Sequence, residues 1–330
     1  MVLDKFMVHG PNGEHVCLVM EVLGGRLCDM LEITPDFRLP HQIGMSVALQ
    51  ITDAVKEMYA SGVVHGDLHQ ANIVFDVLNI AEWRSTEDVY SHLGKPFVED
   101  VPEELHGPGF PKYFVLCVGE RRWWELCIRW SMVPTIKIID FSEASFVKPG
   151  EAIDKELHTA INTAAPEAVF GDLVTPAVDV WAVGCIIFGS MADHPLWCAM
   201  WSNDEIIVQW VLALGRFPDR WWNAWSSSNQ YFNKEGDLLA EQEKLRQPDS
   251  AIEERVVNLT CQIENEPAQW VSNEQEMAEY KRLMLAIFKL EPAERITAEE
   301  AADLLPEVWA LGREVYREHG VKPIEYKGIL

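Results

Sequence analysis

Two short segments hold side chains suited to moving a phosphoryl group. Residues 65–72 read His-Gly-Asp-Leu-His-Gln-Ala-Asn, and residues 137–142 read Lys-Ile-Ile-Asp-Phe-Ser. Phosphoryl transfer asks for a carboxylate beside the acceptor hydroxyl and for oxygen ligands to Mg²⁺. Asp67 is placed to orient and deprotonate the hydroxyl, and Asn72 and Asp140 to hold the ion. Taken singly, such tripeptides are common in loops, so the reading depends on what surrounds them.

The elements that must position these groups are legible in part. Asp140 closes the apolar run 136–139, where a strand would deliver it into a cleft, and short β-type runs at 63–64 and 73–75 flank the other loop. Ile43, Val47, Ile51, Ala54 and Met58 fall on one face of a helix that Ser61 and Gly62 end. Gly10-Pro11-Asn12-Gly13 between apolar runs 2–8 and 15–22 predicts a hairpin. Residues 177–192 read as a buried core helix, carrying Asp179 and short of the roughly 20 residues of a membrane span. Further helices are expected at 204–214, at 279–290 and after Thr297, whose hydroxyl has Glu300 three residues on as a capping partner.

Residues 76–135 break this rhythm. Ser85 to Asp88 form a capping box for a short helix that stops at Gly94 and Pro96. An acidic, Pro-rich stretch to Pro111 and a segment with Trp123, Trp124 and Trp130 follow; the aromatics are expected to pack rather than to form a ligand platform. Residues 223–263 are polar and weakly periodic and read as surface loop and frayed helix.

Composition bounds the partners. The 330 residues are 48% hydrophobic, ample for a packed core, with 27 basic against 52 acidic side chains and a net charge of −25. That field repels nucleic acid and anionic lipid and attracts basic peptides, although it also serves simply to keep a protein in solution. The seven cysteines are odd in number and form no Cys-x-x-Cys pair, so a reducing compartment is expected, cytoplasm and/or nucleus. No basic-then-apolar leader opens the sequence, and a soluble monomer without nucleic-acid or membrane partners is expected.

Downstream, Ala165-Pro166-Glu167 lies 27 residues after Asp140, Asp179 opens the apolar helix, and Arg295 sits in Glu-Pro-Ala-Glu-Arg-Ile-Thr. These motifs in this order resemble a eukaryotic protein kinase over most of the chain. The resemblance implies an α+β, protein kinase-like fold using ATP and Mg²⁺. Most of it would be the helical C-lobe (24–330), with a two-strand remnant of the N-lobe (1–23) and an insertion at about 76–135. It implies structural roles for Glu167 paired with Arg295, and for Asp179 holding the catalytic loop. The passage His15 to Gly24 and the 68-position gap from Asn72 to Asp140 are similar to SR protein kinases, and the Ser85–Pro96 helix and turn, Trp124 and the Leu214–Trp222 passage are similar to their fungal branch. Those enzymes phosphorylate Ser in Arg/Ser-rich segments, so a basic protein substrate is expected. By the same analogy Met20 is the gatekeeper and Glu21, Val22 and Leu23 contact adenine.

The pattern is incomplete. Such a kinase carries a Gly-rich loop, a strand Lys and a helix Glu ahead of the hinge, and only about 14 residues precede His15, so this chain as written, N-terminally truncated, is expected to be feeble or inactive. Gly24-Gly25 follows the hinge and is read as a turn. Gly66 replaces the usual Arg, so Thr159 and Thr163 are not expected to be phosphate switches. His69 takes the catalytic-loop position of a phosphate-binding Lys, and Ser142 replaces a Gly. Two other readings stand beside this one. The His-Gly-Asp-Leu-His loop is also similar to aminoglycoside and choline kinase-like phosphotransferases, against which the 165–167, 179–184 and 295 motifs argue. A pseudokinase that binds basic peptides without catalysis is the other.

Overall fold

The computed structural model describes residues 2–34, 39, 41–77, 80–107, 109–128, 134–148, 150–153, 155–192, 194–199, 201–246, 251–256, 274–306 and 309. The chain opens as an antiparallel hairpin of β1 (Val2–Gly10) and β2 (Gly13–Met20), in which Gly10 faces Gly13 across the turn. Gly13 has φ +112°, a conformation an L side chain resists. Nearly every hairpin residue is exposed. From it the chain enters β3 (Leu23–Arg26), an outer strand of the antiparallel sheet β3-β5-β8, where β5 is Ile73–Asp76 and β8 is Ile136–Ile138. The Gly24-Gly25 pair is therefore not a turn. A Cβ at Gly24 would meet the Cys127 sulfur and come 2.9 Å from the Phe75 carbonyl, so the close approach of β5 and the following helical layer requires glycine there.

Below the sheet the molecule is helical. Helix α1 (Leu27–Ile33) precedes α2 (His41–Ala60), which buries Ile43, Val47, Ile51 and Val55 and ends at Gly62, φ +71°. Strand β4 (Val63–Val64) pairs with β9 (Ser145–Phe146), so the two chemistry-bearing segments leave the same small ladder. Past the insertion and α5 (Pro166–Val169), helix α6 (Ala177–Met191) is buried on all sides, consistent with its uniformly apolar sequence. A Cβ on Gly184 would stand 2.6 Å from Ile287, which places the later helix Glu274–Ile287 directly against α6. Trp181 of α6 meets Phe288 edge-on at 4.9 Å and Trp210 at 5.7 Å, all fully enclosed or nearly so. Each such ring contributes about 1.5–3 kcal/mol by burial.

Within the insertion, α3 (Thr86–Leu93) carries the expected box, Ser85 accepting from the Asp88 N–H at 3.0 Å and Asp88 answering at the Ser85 N–H. A second exposed hairpin, β6 (Val98–Asp100) with β7 (Tyr113–Val115), was not expected from the Pro-rich acidic sequence. Asn12 Nδ2 donates to the Gly109 carbonyl at 3.1 Å, tying its loop to the first hairpin. In α4 (Glu120–Ile128) Trp123 packs on the core, while the Trp124 side chain and Trp130 lie outside the described residues.

Further helices include α7 (Asn203–Leu214), α8 (Asp219–Ala224), α9 (Ser228–Tyr231), α10 (Glu274–Ile287) and α11 (Ala298–Leu304), the last with both halves of the Thr297–Glu300 box. The polar stretch after Asn223 is less loose than its composition predicts. Trp225 and Phe232 are buried there and stack among Trp222 and Tyr231, anchoring the short turns; residues 247–250 and 257–263 fall outside the described set. Among the described residues no helix is long and apolar enough to cross a membrane.

Candidate active site

The loop after β4 is held from below by one carboxylate. Asp179, in the first turn of α6, accepts the backbone N–H of His65 at 2.7 Å and of Gly66 at 2.9 Å. Burial pushes the Asp179 carboxyl up, while the two N–H donors favour its anion. Gly66 has φ +79°, and a Cβ there would come within 3.1 Å of the Glu143 carbonyl and the Leu157 side chain. The glycine that replaces the usual Arg is thus matched to a left-handed backbone.

His65 is fully buried and its tautomer follows from its partners. Nδ1 accepts the Asp67 N–H at 3.2 Å, so Nε2 carries the proton toward the Ile139 carbonyl at 3.1 Å. The same logic applies to His69. Its Nδ1 accepts the Ala71 N–H at 3.2 Å, which turns a protonated Nε2 toward Asp67 Oδ2 at 3.5 Å. His69 therefore faces the Asp67 carboxylate as a neutral ring with a proton to donate.

Asn72 is buried in a tight turn, and its Nδ2 donates to the Asp67 carbonyl at 2.9 Å and approaches Asp67 Oδ2 at 3.5 Å. With the nitrogen so committed, the amide oxygen is the end offered to a cation. The Asn72 carbonyl accepts the Ile139 N–H at 2.9 Å, and Ile73 pairs with Ile138 across β5 and β8. These bonds bring the loop that carries Asp67, His69 and Asn72 against the strand that delivers Asp140.

Asp140 is exposed and has φ +62°, the one left-handed non-glycine residue among those described. Its carboxylate accepts the Ser142 N–H at 3.3 Å, and hydrogen bonds from the Ser142 hydroxyl and N–H hold it below the usual carboxylate range. Strain sits at Asp140 and not at Ser142, which lies inside a short 3₁₀ turn with negative φ, so serine is tolerated where glycine is usual. Phe141 packs its ring 4.8 Å from that of His65 and is otherwise half exposed.

No cluster of three or more His, Cys, Asp or Glu side chains suited to a metal occurs among the described residues. Mg²⁺ binds through one or two carboxylates plus phosphate and water oxygens and needs no all-protein cage. Asn72, just before β5, and Asp140, just after β8, are both hard oxygen donors at the ends of bonded strands and fit that requirement.

The hinge-type residues lie at the other end of the sheet. Met20 ends β2 and is largely exposed, Leu23 opens β3, and Glu21 with Val22 forms the link between hairpin and sheet. Glu21 Oε2 pairs with the Lys137 ammonium, which holds its carboxyl down at about 2. Farther off, Arg295 and Glu167 form the expected pair, both side chains fully buried.

Sequence reasoning assigned no role to Glu143. Its carboxylate meets Lys155 at 2.8 Å and His158 at 3.3 Å, and beyond them the Thr159 hydroxyl donates to the Gly66 carbonyl at 2.5 Å and the Ala160 N–H to Asp67 Oδ1 at 3.2 Å. The Thr163 hydroxyl, 9% exposed as a residue, donates to the Ala160 carbonyl. These contacts join segments up to 93 positions apart, and no local pattern announces them.

Residues 128–305 match the protein kinase domain family. The chain is similar to the serine/threonine-protein kinase SRPK of Physarum polycephalum, 22% identical over 253 residues, covering 72% of this chain and 57% of that protein. It is also similar to the serine/threonine-protein kinase AFC3 of Arabidopsis thaliana, 24% identical over 293 residues, covering 88% and 62%. Over a shorter stretch of 102 residues it is 29% identical to the protein kinase dsk1 of Schizosaccharomyces pombe, covering 31% and 17%. The chain spans about three-fifths of the length of SRPK and AFC3.

Proposed function

The chain belongs to the protein kinase family, and we propose that it is of SR protein kinase-like type and serves ATP- and Mg²⁺-dependent phosphorylation of serine in basic, Arg/Ser-rich protein segments. The observation that carries this reading is the pair of bonds through Asn72, its amide to the Asp67 carbonyl and its own carbonyl to the Ile139 N–H. They set an acceptor-side carboxylate and two oxygen ligands on one rigid frame. The net charge of −25 supports a basic substrate.

Mg²⁺·ATP supplies the transferable phosphoryl group and the cationic charge that offsets its transfer. Asp67 would orient the serine hydroxyl and take its proton on a carboxylate oxygen as that oxygen bonds the γ-phosphorus and the bond to the β-phosphate oxygen breaks, leaving ADP. His69, neutral with its Nε2–H toward Asp67, helps to hold that carboxylate and brings no charge to the phosphates. Asn72 and Asp140 would hold the ion, and Met20, Glu21, Val22 and Leu23 would contact the adenine. Residues 1–330 contain no Gly-rich loop, strand Lys or helix Glu ahead of the hinge, and the polypeptide by itself is proposed to turn over feebly.

The test pairs calorimetric Mg²⁺·ATP binding with phosphorylation of an Arg/Ser peptide. Binding that Asp140→Ala abolishes, with transfer that Asp67→Asn removes, supports the kinase reading. Peptide binding without nucleotide binding would replace it with a non-catalytic module for basic segments.

A further inference from the structure

The link between hairpin and sheet is short, and one side chain spans it. Between β2 and β3 only Glu21 and Val22 intervene, so the hairpin that leads to the adenine-facing residues is joined to the rest of the chain there. Lys137 reaches Glu21 from β8, 116 positions away in sequence. It also lies 3.7 Å from Asp76 Oδ2 on β5. The sheet explains why these three groups converge. Lys137 pairs with Val74, Leu23 pairs with Asp76, and the Asp76 N–H donates to the Thr135 carbonyl at 2.8 Å, so Asp76 is gripped from both sides. Strand β8 is itself fixed, because the Ile136 N–H donates to Gln50 Oε1 at 3.0 Å and the Ile139 N–H to Asn72. Lys137 thus stands on a rigid strand three residues before Asp140.

We propose that Lys137 is a positioning residue that pins the hinge, through Glu21, to the strand bearing Asp140, and so fixes the distance between the adenine end and the metal end of the nucleotide site. This rests on the reading above for its consequence, but the joint itself does not need a nucleotide. On that reading the Glu21 backbone, and not Lys137, would meet the adenine, so Lys137 acts through Glu21. Removing its ammonium takes from Glu21 and Asp76 the cation they share, and with it the side-chain tie between the hinge and β8. Each side chain of the trio is about one-third exposed, so the joint is partly screened and has to rely on geometry as well as charge.

The experiment compares the 330-residue chain with Lys137→Met and Lys137→Arg. Amide hydrogen exchange at residues 21–23 is measured without nucleotide, and calorimetry gives the affinity for adenosine and for Mg²⁺·ATP. Exchange is expected to quicken at least fivefold in Lys137→Met and to stay near wild type in Lys137→Arg. Adenosine and Mg²⁺·ATP should weaken by the same factor of about five, because the loss is at the adenine end. Wild-type exchange at 21–23 in Lys137→Met overturns the proposal. Quickened exchange in a chain that binds no nucleotide in any form supports the joint while removing the kinase reading, so the two failures are told apart.

Discussion

Arg295 forks onto Glu167, with Nη1 to Oε1 at 2.7 Å and Nη2 to Oε2 at 3.0 Å, and neither side chain touches solvent. The guanidinium also donates to the carbonyls of Ala177 at 2.7 Å and Lys289 at 3.0 Å, and stacks 5.0 Å from the Trp181 ring. One cation therefore joins the segment after the catalytic loop, the start of α6 and the turn after α10. Removing one partner strands a buried charge, so Glu167→Gln or Arg295→Met should each cost about 3–5 kcal/mol in urea denaturation. The double variant should cost clearly less than the two together, because it leaves no unpaired ion.

Restoring the usual arginine at position 66 should harm the protein. The backbone there has φ +79°, and a Cβ would press on the Glu143 carbonyl and Leu157 at 3.1 Å. A side chain forced into that conformation costs about 1–2 kcal/mol before any contact is counted. Gly66→Arg is expected to lower the thermal midpoint and to leave transfer unimproved; a stability equal to wild type would show that the loop can adopt a right-handed backbone.

The parts of this architecture that sequence could show are those made by neighbours along the chain. The Ser85–Asp88 and Thr297–Glu300 boxes span three residues, and the helix of Ile43, Val47 and Ile51 repeats at four. Asp67 and Asn72 are five apart, so their motif reads directly. What was hidden depends on partners far away. Gly24 reads as a turn until Cys127 and Phe75 are seen against it. Trp225 and Phe232 look like isolated aromatics in a polar stretch, because irregular turns bury side chains without a period. The β6–β7 hairpin pairs Val98 with Val115 across a Pro- and Glu-rich loop that carries no strand alternation of its own. Glu21, in the link before β3, and Lys137, on β8, meet only because β5 brings those two strands into one sheet.

Acid should probe the same ion pair. Lys137 holds the Glu21 carboxyl at about 2 in the folded chain against 4.5 ordinarily. A depressed folded pKa gives stability that is present above the unfolded value and lost as pH falls through the folded one. The contribution of Glu21 is therefore complete above about 4.5 and drains between there and about 2. Urea midpoints at pH 6 and pH 3 should fall further in the wild type than in Glu21→Gln. Equal falls would mean that the pair is open in solution.

Asn72 cannot be exchanged for its isosteric acid. Its Nδ2 donates to the Asp67 carbonyl at 2.9 Å and lies 3.5 Å from Asp67 Oδ2, in a residue that is 7% exposed. Asn72→Asp would keep an oxygen for the cation but replace the donor with a second acceptor, facing one carbonyl and one carboxylate. The lost bond and the new repulsion should cost about 1–3 kcal/mol, and the loop should shift to relieve them. Without metal, the variant is expected to melt below wild type; added Mg²⁺ should recover part of the difference, since a divalent ion offsets two carboxylates at once. A variant with unaltered melting in EDTA would show that the amide is not oriented toward Asp67, and the assignment of its oxygen to the metal would fall with it.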